Sequence, residues 1–171
     1  MKIIDDKIIS MNKLFKKKLK REIGLCWGGF DFLHAGHIFH FGFASKMCET
    51  LIVAINSDEA FPDKGENRPF LSEKARSYAI ASIEFVNLVV VYEGNYLDPD
   101  HSLGIIHGKI QNTPFIPLDI IKSIKPDYYF KGAEYEGKVI PEQQIIEEHG
   151  GKVIFGPKEP IISSTKLIKN L

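Results

Sequence analysis

The sequence predicts an open α/β fold in which helices cover both faces of a mainly parallel sheet of five strands. Short apolar segments alternate with segments of helical periodicity along the chain. The apolar segments are rich in β-branched residues and nearly continuous in hydrophobicity, which is typical of parallel strands buried on both faces. This alternation implies right-handed crossovers and a doubly wound sheet. With 171 residues, the chain is long enough for one domain with a substantial core.

The individual elements follow from these two patterns. Strands are predicted at residues 23–27, 50–55, 88–92, 128–130 and 152–155. Helices are predicted at residues 38–48, 72–82, 117–124 and 141–148, with a further helix in residues 1–22. Residues 1–171 are predicted to form a single domain. Because ligands of such sheets bind at the carboxyl ends of the strands, near the topological switch point, residues that follow strands are the candidates for a site.

Residues 95–116 interrupt the alternation. They contain Pro99, Gly104, Gly108 and Pro114 and show weak periodicity, so we predict an irregular insertion. Long irregular loops inside compact domains are usually functional or mobile. We expect either a flap over an acceptor site or a contact between subunits. A tolerated surface insertion is the alternative, since lengthening a loop costs little free energy.

The composition excludes some classes of partner. The chain has 22 Lys and Arg residues and 22 Asp and Glu residues, so its formal net charge is zero. That balance argues against nucleic acid or an acidic membrane as a partner. We find neither a signal peptide nor an apolar run long enough to cross a bilayer, and we expect a cytoplasmic protein. The two cysteines, Cys26 and Cys48, lack the spacing of metal ligands.

The segment from Gly28 to His37, GGFDFLHAGH, carries the strongest functional signal. It lies between a predicted strand and a predicted helix. The first amide groups of a helix lack partners within it, and the helix dipole favours negative charge there, so phosphate binds readily. Gly28 and Gly29 allow close approach of the backbone, and Gly36 leaves room between the histidines. His34 and His37 share one helix face, where both imidazoles can donate to one phosphate chain.

Four segments, in order, resemble motifs of the H-x-G-H nucleotidylyltransferase superfamily, which is cytidylyltransferase-like. Residues 28–37 contain G-x-F-D followed by H-x-G-H, and residues 64–69, KGENRP, resemble the K-G-x-x-R-P loop. Residues 126–135, PDYYFKGAEY, resemble the P-D-x-x-x-K-G-x-x-Y segment, and residues 162–168, ISSTKLI, resemble the C-terminal G-x-S-T-x-x-I motif. The residues of these motifs are most similar to those of bacterial heptose 1-phosphate adenylyltransferases. They are also similar to those of glycerol 3-phosphate cytidylyltransferases.

The resemblance implies a Rossmann-like fold and a nucleotidyl transfer. A phosphate oxygen of a phosphorylated sugar would attack the α-phosphorus of a nucleoside triphosphate, with ATP favoured, to give an NDP-sugar and pyrophosphate. The implied catalytic residues are His34, His37, Lys64 and Lys131. The implied nucleotide-binding residues are Gly28, Gly29, Phe30, Gly36, Arg76, Gly132, Ser163, Ser164 and Thr165. The implied acceptor-binding residues are Lys64 and Arg68.

Two of these assignments have structural alternatives. Arg76 would otherwise be a solvated helix residue paired with Glu73 or Glu84. The Ser/Thr cluster from Ser163 to Thr165 also suits the N-cap of a final helix, and both roles can hold at once.

The resemblance also implies Mg²⁺, bound through the triphosphate oxygens without a dedicated protein cage. The implied partners are a nucleoside triphosphate and a phosphorylated sugar or polyol, and a homodimer stays open. A cytidylyltransferase for a glycerol, polyol or amino-alcohol phosphate is the alternative enzyme. A non-catalytic nucleotide-binding protein is the alternative of another class. It rests on three departures from the family pattern, Gly29, Ala75 and Ile162.

Overall fold

The computed structural model describes residues 2–59, 68–93, 96–97, 105–106 and 116–158. The strands in these ranges are β1 (Ile8–Ile9), β2 (Ile23–Gly28), β3 (Thr50–Asn56), β4 (Leu88–Tyr92), β5 (Tyr96–Leu97), β6 (Ile105–Ile106), β7 (Ile116–Pro117), β8 (Tyr128–Lys131) and β9 (Lys152–Phe155). The α-helices there are α1 (Lys2–Lys7), α2 (Met11–Lys16), α3 (Ala35–Ala44), α4 (Glu73–Ala81), α5 (Leu118–Ile124) and α6 (Gln143–Glu148). A short 3₁₀ helix covers Ala133–Tyr135.

One parallel sheet, in the strand order β1-β4-β3-β2-β8-β9, organises the molecule. From β2 the chain builds outward through β3 and β4, and it later returns to place β8 on the other side of β2. This change of direction creates a switch point between β2 and β8, which pair from Gly24 with Tyr128 to Cys26 with Phe130. The doubly wound fold is confirmed, with one strand more than predicted. A ligand crevice is expected at the carboxyl ends of β2 and β8.

Two apolar cores, one on each face of the sheet, hold the helices. Successive side chains of a strand point to opposite faces. In β3, which is buried throughout, Ile52 faces the core shared with α2, α5 and α6. Its neighbour Val53 faces the core shared with α3 and α4. Burial on both faces explains why the central strands read as continuous apolar runs rather than as alternating ones.

The four predicted internal helices correspond to α3, α4, α5 and α6, and side-chain caps set the starts of α3 and α4. Helix α4 begins after Ser72, whose hydroxyl accepts the Ala75 N–H at 3.3 Å. Helix α3 begins at Ala35, three residues earlier than predicted, because His34 serves as its N-cap. The longest helix of the described residues, α3, has ten residues, and none of these helices could span a bilayer.

The single helix predicted for residues 1–22 is wrong. The described part of this segment forms α1, β1 and α2 instead. Ser10 caps α2 through its hydroxyl, which accepts a backbone N–H at 3.4 Å, and serine favours caps over helix interiors. The two β-branched isoleucines of β1 pair with Val89 and Val90 of β4. The open edge of β4 therefore overrides the helical spacing of the apolar residues and supplies the sixth strand.

The insertion predicted at residues 95–116 contains three two-residue strands in its described part. Strand β5 pairs antiparallel with both β6 and β7, in the order β6-β5-β7. Strand β5 starts four residues after β4 ends, and β7 leads directly into α5. Residues 98–104 and 107–115 lie outside the described residues. A role as a flap or as a subunit contact stays a prediction.

Candidate active site

A tight turn after β2 begins the site. Beyond Gly28 the chain turns through Phe30, whose φ of 48° lies in the left-handed region. The Phe30 ring comes within 3.1 Å of the place where a Cβ on Gly28 would lie, and its edge packs against Phe41 of α3. A side chain at position 28 would press on this ring, so glycine suits the turn. The turn brings the start of α3 to the carboxyl end of β2.

His34 occupies the N-cap of α3 and presents a neutral donor. Its Nδ1 accepts the backbone N–H of His37 at 3.4 Å. Because Nδ1 accepts, the neutral ring carries its proton on Nε2, which is left to donate to a ligand. Partial burial lowers the pKa of His34 below its ordinary value of 6.5, so the ring stays neutral at pH 7.

His37 lies directly against His34 at the first turn of α3. The two rings stack with centroids 3.7 Å apart and planes 19° apart. The edge of Phe30 supports the His37 ring at 5.1 Å between centroids. The structure therefore brings both histidines to the point where the helix amides and the helix dipole favour an anion, as the spacing indicates.

Arg76 ties this turn to the segment after β3. Its side chain has no exposed surface. The guanidinium donates to the carbonyl oxygens of Gly29 at 2.7 Å and Leu71 at 2.9 Å, and to the Asp58 carboxylate at 2.6 Å. Since Gly29 follows β2 and Asp58 follows β3, one buried cation joins the loops at the carboxyl ends of two neighbouring strands.

The environment of Arg76 differs from the alternative of a solvated helix residue. It pairs with Asp58 rather than with Glu73 or Glu84. Asp58 and Glu73 in turn exchange backbone-to-carboxylate hydrogen bonds, both at 2.8 Å. The guanidinium thus holds the backbone beneath the histidines, and a direct contact between Arg76 and a nucleotide stays a prediction.

Asp31 forms a second tie below the same turn. It is 2% exposed, and its Oδ2 pairs with the Nε of Arg68. Its Oδ1 accepts the Leu71 N–H at 2.9 Å. The Arg68 side chain is 9% exposed and its guanidinium lies 5.2 Å from the Phe70 ring centroid. Asp31 therefore pairs with Arg68, the residue that the resemblance implies for acceptor binding. A contact between Arg68 and an acceptor stays a prediction.

Lys131 lies at the carboxyl end of β8, across the switch point from the histidines. Its Nζ donates to Glu142 Oε1 at 2.8 Å, and the hydroxyl of Tyr129 donates to the same oxygen at 2.9 Å. The Nζ lies 5.7 Å from the ring centroid of Trp27, 5.2 Å from that of Tyr129 and 5.1 Å from that of Tyr135. Ring faces and a carboxylate together stabilise a largely buried ammonium.

The remaining predicted site residues fall into two groups. Gly36 lies between the two histidines in the first turn of α3. Gly132 follows Lys131, and a Cβ there would collide with the Glu134 carboxylate. The other predicted residues, Lys64, Ser163, Ser164 and Thr165, lie outside the described residues.

His40, one helical turn beyond the paired histidines, makes stability depend on pH. Burial lowers its pKa from the ordinary value of 6.5, while the Glu134 charge and a hydrogen bond to the Phe130 backbone oppose that shift. The unfolded chain therefore binds a proton below pH 6.5 that the folded His40 resists. We expect the free energy of unfolding, measured in urea, to fall as pH decreases from 6.5. The variant His40→Asn is expected to show a shallower fall, and an equally steep one would contradict this account.

Comparison with known proteins decides the family. A family model described as cytidylyltransferase-like matches residues 25–170. The chain belongs to the cytidylyltransferase-like family. This match covers the β2 turn, both histidines and Lys131, and it confirms the resemblance found in the sequence. The three other motif segments also lie within the matched range.

Several curated relatives of this cytidylyltransferase-like chain are described as bifunctional protein HldE. The protein from Campylobacter fetus subsp. fetus is 33% identical over 144 residues, which cover 83% of this chain and 27% of the relative. The protein from Rhodopseudomonas palustris CGA009 is 30% identical over 171 residues, covering 96% of this chain and 31% of the relative. The chain therefore spans less than a third of the length of these relatives.

Solved structures show the same fold at lower identity. A lipopolysaccharide core biosynthesis protein from Thermoplasma volcanium superposes with a TM-score of 0.55 at 20% identity, covering 81% of this chain and 98% of that one. Pantoate-beta-alanine ligase from Francisella tularensis superposes with a TM-score of 0.58 at 19% identity, covering 96% of this chain and 72% of that one. These similarities support the Rossmann-like arrangement of the cytidylyltransferase-like chain.

For three acidic residues of this cytidylyltransferase-like site, the sequence did not predict the role or the partner. Asp58 follows a predicted strand, so its position at the carboxyl edge was a usable signal. Asp31 lay within the recognised motif without an assigned partner. Glu142 sits just before α6, and no spacing pattern links it to Lys131. Each of the three acids pairs with an arginine or a lysine. Within the described ranges, no group of three or more His, Cys, Asp or Glu side chains could hold a metal ion.

Proposed function

We propose that the chain is a nucleotidyltransferase that joins a nucleoside triphosphate, with ATP favoured, to a sugar phosphate and releases pyrophosphate. The observation that carries this proposal is the stacked pair of His34 and His37 at the first turn of α3. The pair lies at the carboxyl end of β2, beside the switch point where such sheets bind ligands. Membership of the cytidylyltransferase-like family supports the same reaction class.

The proposed reaction is an in-line displacement at phosphorus. A phosphate oxygen of the acceptor forms a bond to the α-phosphorus while the bond from that phosphorus to the α,β-bridging oxygen breaks. Pyrophosphate leaves with the electron pair of the broken bond. A phosphate monoester is largely dianionic near pH 7, so no general base is required. The protein must hold two anions together and stabilise the charge that develops between them.

The described residues divide this work. The imidazole N–H donors of His34 and His37, with the first amides of α3, would contact the α- and β-phosphates. Lys131 would bring positive charge from the opposite side of the switch point. Asp31 and Arg76 would keep the turn below the histidines in place. Sequence motifs add Lys64, Ser163, Ser164 and Thr165 as further donors to phosphate.

Mg²⁺ would arrive as part of the nucleotide substrate. The ion bridges triphosphate oxygens and keeps several water ligands, so it needs few ligands from the protein. Asp31, Asp58 and Glu142 already pair with protein cations. Such a set of engaged carboxylates suits a metal ion carried by the nucleotide better than one resident in the protein.

Nucleotide binding tests the proposal directly. ATP with Mg²⁺ is expected to raise the melting temperature more than CTP, GTP or UTP at equal concentrations. A ligand at a hundred times its Kd stabilises the folded state by about 2.7 kcal/mol, provided that it does not bind the unfolded chain. Pyrophosphate release is then measured with ATP and a panel of sugar, polyol and amino-alcohol phosphates.

The outcomes separate the competing functions. A dominant shift with CTP, followed by turnover of a polyol phosphate, would establish the alternative cytidylyltransferase. A shift without pyrophosphate release from any acceptor would favour a non-catalytic nucleotide-binding protein. If no nucleotide changed the melting temperature, the proposed site would be wrong.

A further inference from the structure

Glu142 occupies an unusual position for a helix-capping acid. It stands at the N-cap of α6, yet its side chain makes no capping hydrogen bond to that helix. The side chain is 3% exposed and reaches toward β8 instead. There, one oxygen, Oε1, accepts hydrogen bonds from Lys131 and Tyr129. The carboxylate thus serves the end of β8 rather than its own helix.

The ion pair between Glu142 and Lys131 is expected to add little to the free energy of unfolding. Removing two charges from water costs about as much as their attraction returns, so buried ion pairs contribute little net stability. The second oxygen of Glu142, Oε2, is also buried without a hydrogen-bond partner among the described residues. An arrangement with this cost calls for another benefit, and the charge of Lys131 at the switch point supplies one.

Lys131 keeps bonding capacity while Glu142 holds it. A lysine ammonium has three N–H donors, and the described structure uses one of them on Glu142. The other described groups around Nζ are ring faces, of Trp27, Tyr129 and Tyr135. The remaining donors are therefore available to an anion, and the rigid surroundings limit where the ammonium can go.

We propose that Glu142 is a positioning residue for the nucleotidyl transfer, acting by holding the Lys131 ammonium in place at the carboxyl end of β8. The inference rests on the proposed function, in which Lys131 contacts a phosphate. Without the carboxylate, the ammonium would lie among aromatic rings with 12% of its side chain exposed. No described hydrogen bond would then fix its position.

Other titratable groups near Lys131 leave this role to Glu142. Tyr129 lies on the same strand, and Tyr135 approaches from the 3₁₀ helix. Burial, with the Glu142 charge adding to it, raises the pKa of Tyr129 well above 10.0. Burial, then Glu134 and Glu142, raises the pKa of Tyr135. Both tyrosines therefore stay neutral through the working range, and Glu142 is the described anion that touches the ammonium.

The test replaces the carboxylate by its uncharged isostere, Glu142→Gln. The kcat is expected to fall by about tenfold or more, with a smaller change in the KM of the nucleotide, because an ammonium that is no longer fixed at the end of β8 meets the transition-state charge less well. Glu147→Gln is the matched control, since it removes an exposed acid of α6 whose side chain bonds only Gln143 among the described residues. Its kcat and KM should match those of the wild type.

A double variant and a chemical readout complete the test. In the Lys131→Ala background, Glu142→Gln should lower kcat little further, because a positioning residue acts only through the side chain that it positions. The rate of Lys131 acetylation at one fixed pH, followed by mass spectrometry, should rise in Glu142→Gln whether or not turnover is detected, because the amine is no longer held in the pair. An unchanged kcat and an unchanged acetylation rate would overturn the role of Glu142. Absence of turnover in the wild type, with a raised acetylation rate in the variant, would instead contradict the proposed function and leave the pairing intact.

Discussion

Replacing His37 by alanine is expected to lower kcat by about 10²–10³-fold, as loss of one preorganised donor to transition-state charge typically does. His37 lies at the first turn of α3 with its ring stacked on His34 at 3.7 Å. The variant keeps the N-cap imidazole and the helix, so melting temperature and circular dichroism should stay near wild-type values. The measurement is steady-state pyrophosphate release with saturating nucleotide.

His149→Ala is the control for this loss. It removes an exposed imidazole at the C-cap of α6, away from the carboxyl ends of the strands. Its kcat is expected to match the wild type. Wild-type turnover in His37→Ala would remove the proposed mechanism. A double variant that also lacks His34 should lose little more than the single one, because two donors to one phosphate chain act as a unit.

Replacing Arg76 by methionine is expected to produce the largest loss of stability, about 3–5 kcal/mol in the free energy of unfolding. The fully buried guanidinium satisfies the carbonyls of Gly29 and Leu71 and the carboxylate of Asp58. Methionine fills much of the volume but donates no hydrogen bond, so it leaves acceptors buried without partners. Urea denaturation measures the loss, and nucleotide affinity should fall with it because Gly29 belongs to the phosphate turn.

Arg21→Met is the matched comparison. Arg21 also pairs with an aspartate, Asp127 at 3.2 Å, but its side chain is 63% exposed. Exposed ion pairs contribute about 0–1 kcal/mol, so this variant should unfold close to the wild type. Similar losses in the two variants would show that burial of Arg76 does not matter. A stable Arg76→Met protein that no longer binds nucleotide would instead favour a direct phosphate contact by this arginine.

The central sheet could be predicted because its strands are buried on both faces. Strands such as β3 read as unbroken apolar runs of the right length. Helices α3 and α4, which lie between such strands, carry local caps. The histidine pair could be predicted for a similar reason. His34 and His37 lie within one helical turn, so their proximity follows from helix geometry alone.

The edge of the sheet could not be predicted in the same way. The two residues of β1 become a strand only because β4, some 80 positions later in the chain, offers an open edge at Val89 and Val90. A two-residue strand has no periodicity of its own. The apolar spacing of residues 1–22 is equally compatible with a helix until that partner is in place.

Local spacing along the chain therefore decides the strand–turn–helix unit and the anion site at the start of its helix, because both involve residues that are neighbours in sequence. The partners of the site's cations are decided by the folded arrangement. Arg76 reaches Gly29 across 47 positions, and Lys131 reaches Glu142 from a different element. The sequence shows that these residues are charged, but burial and proximity arise only when β2, β3 and β8 lie side by side. That packing determines which charge faces a ligand and which holds the backbone.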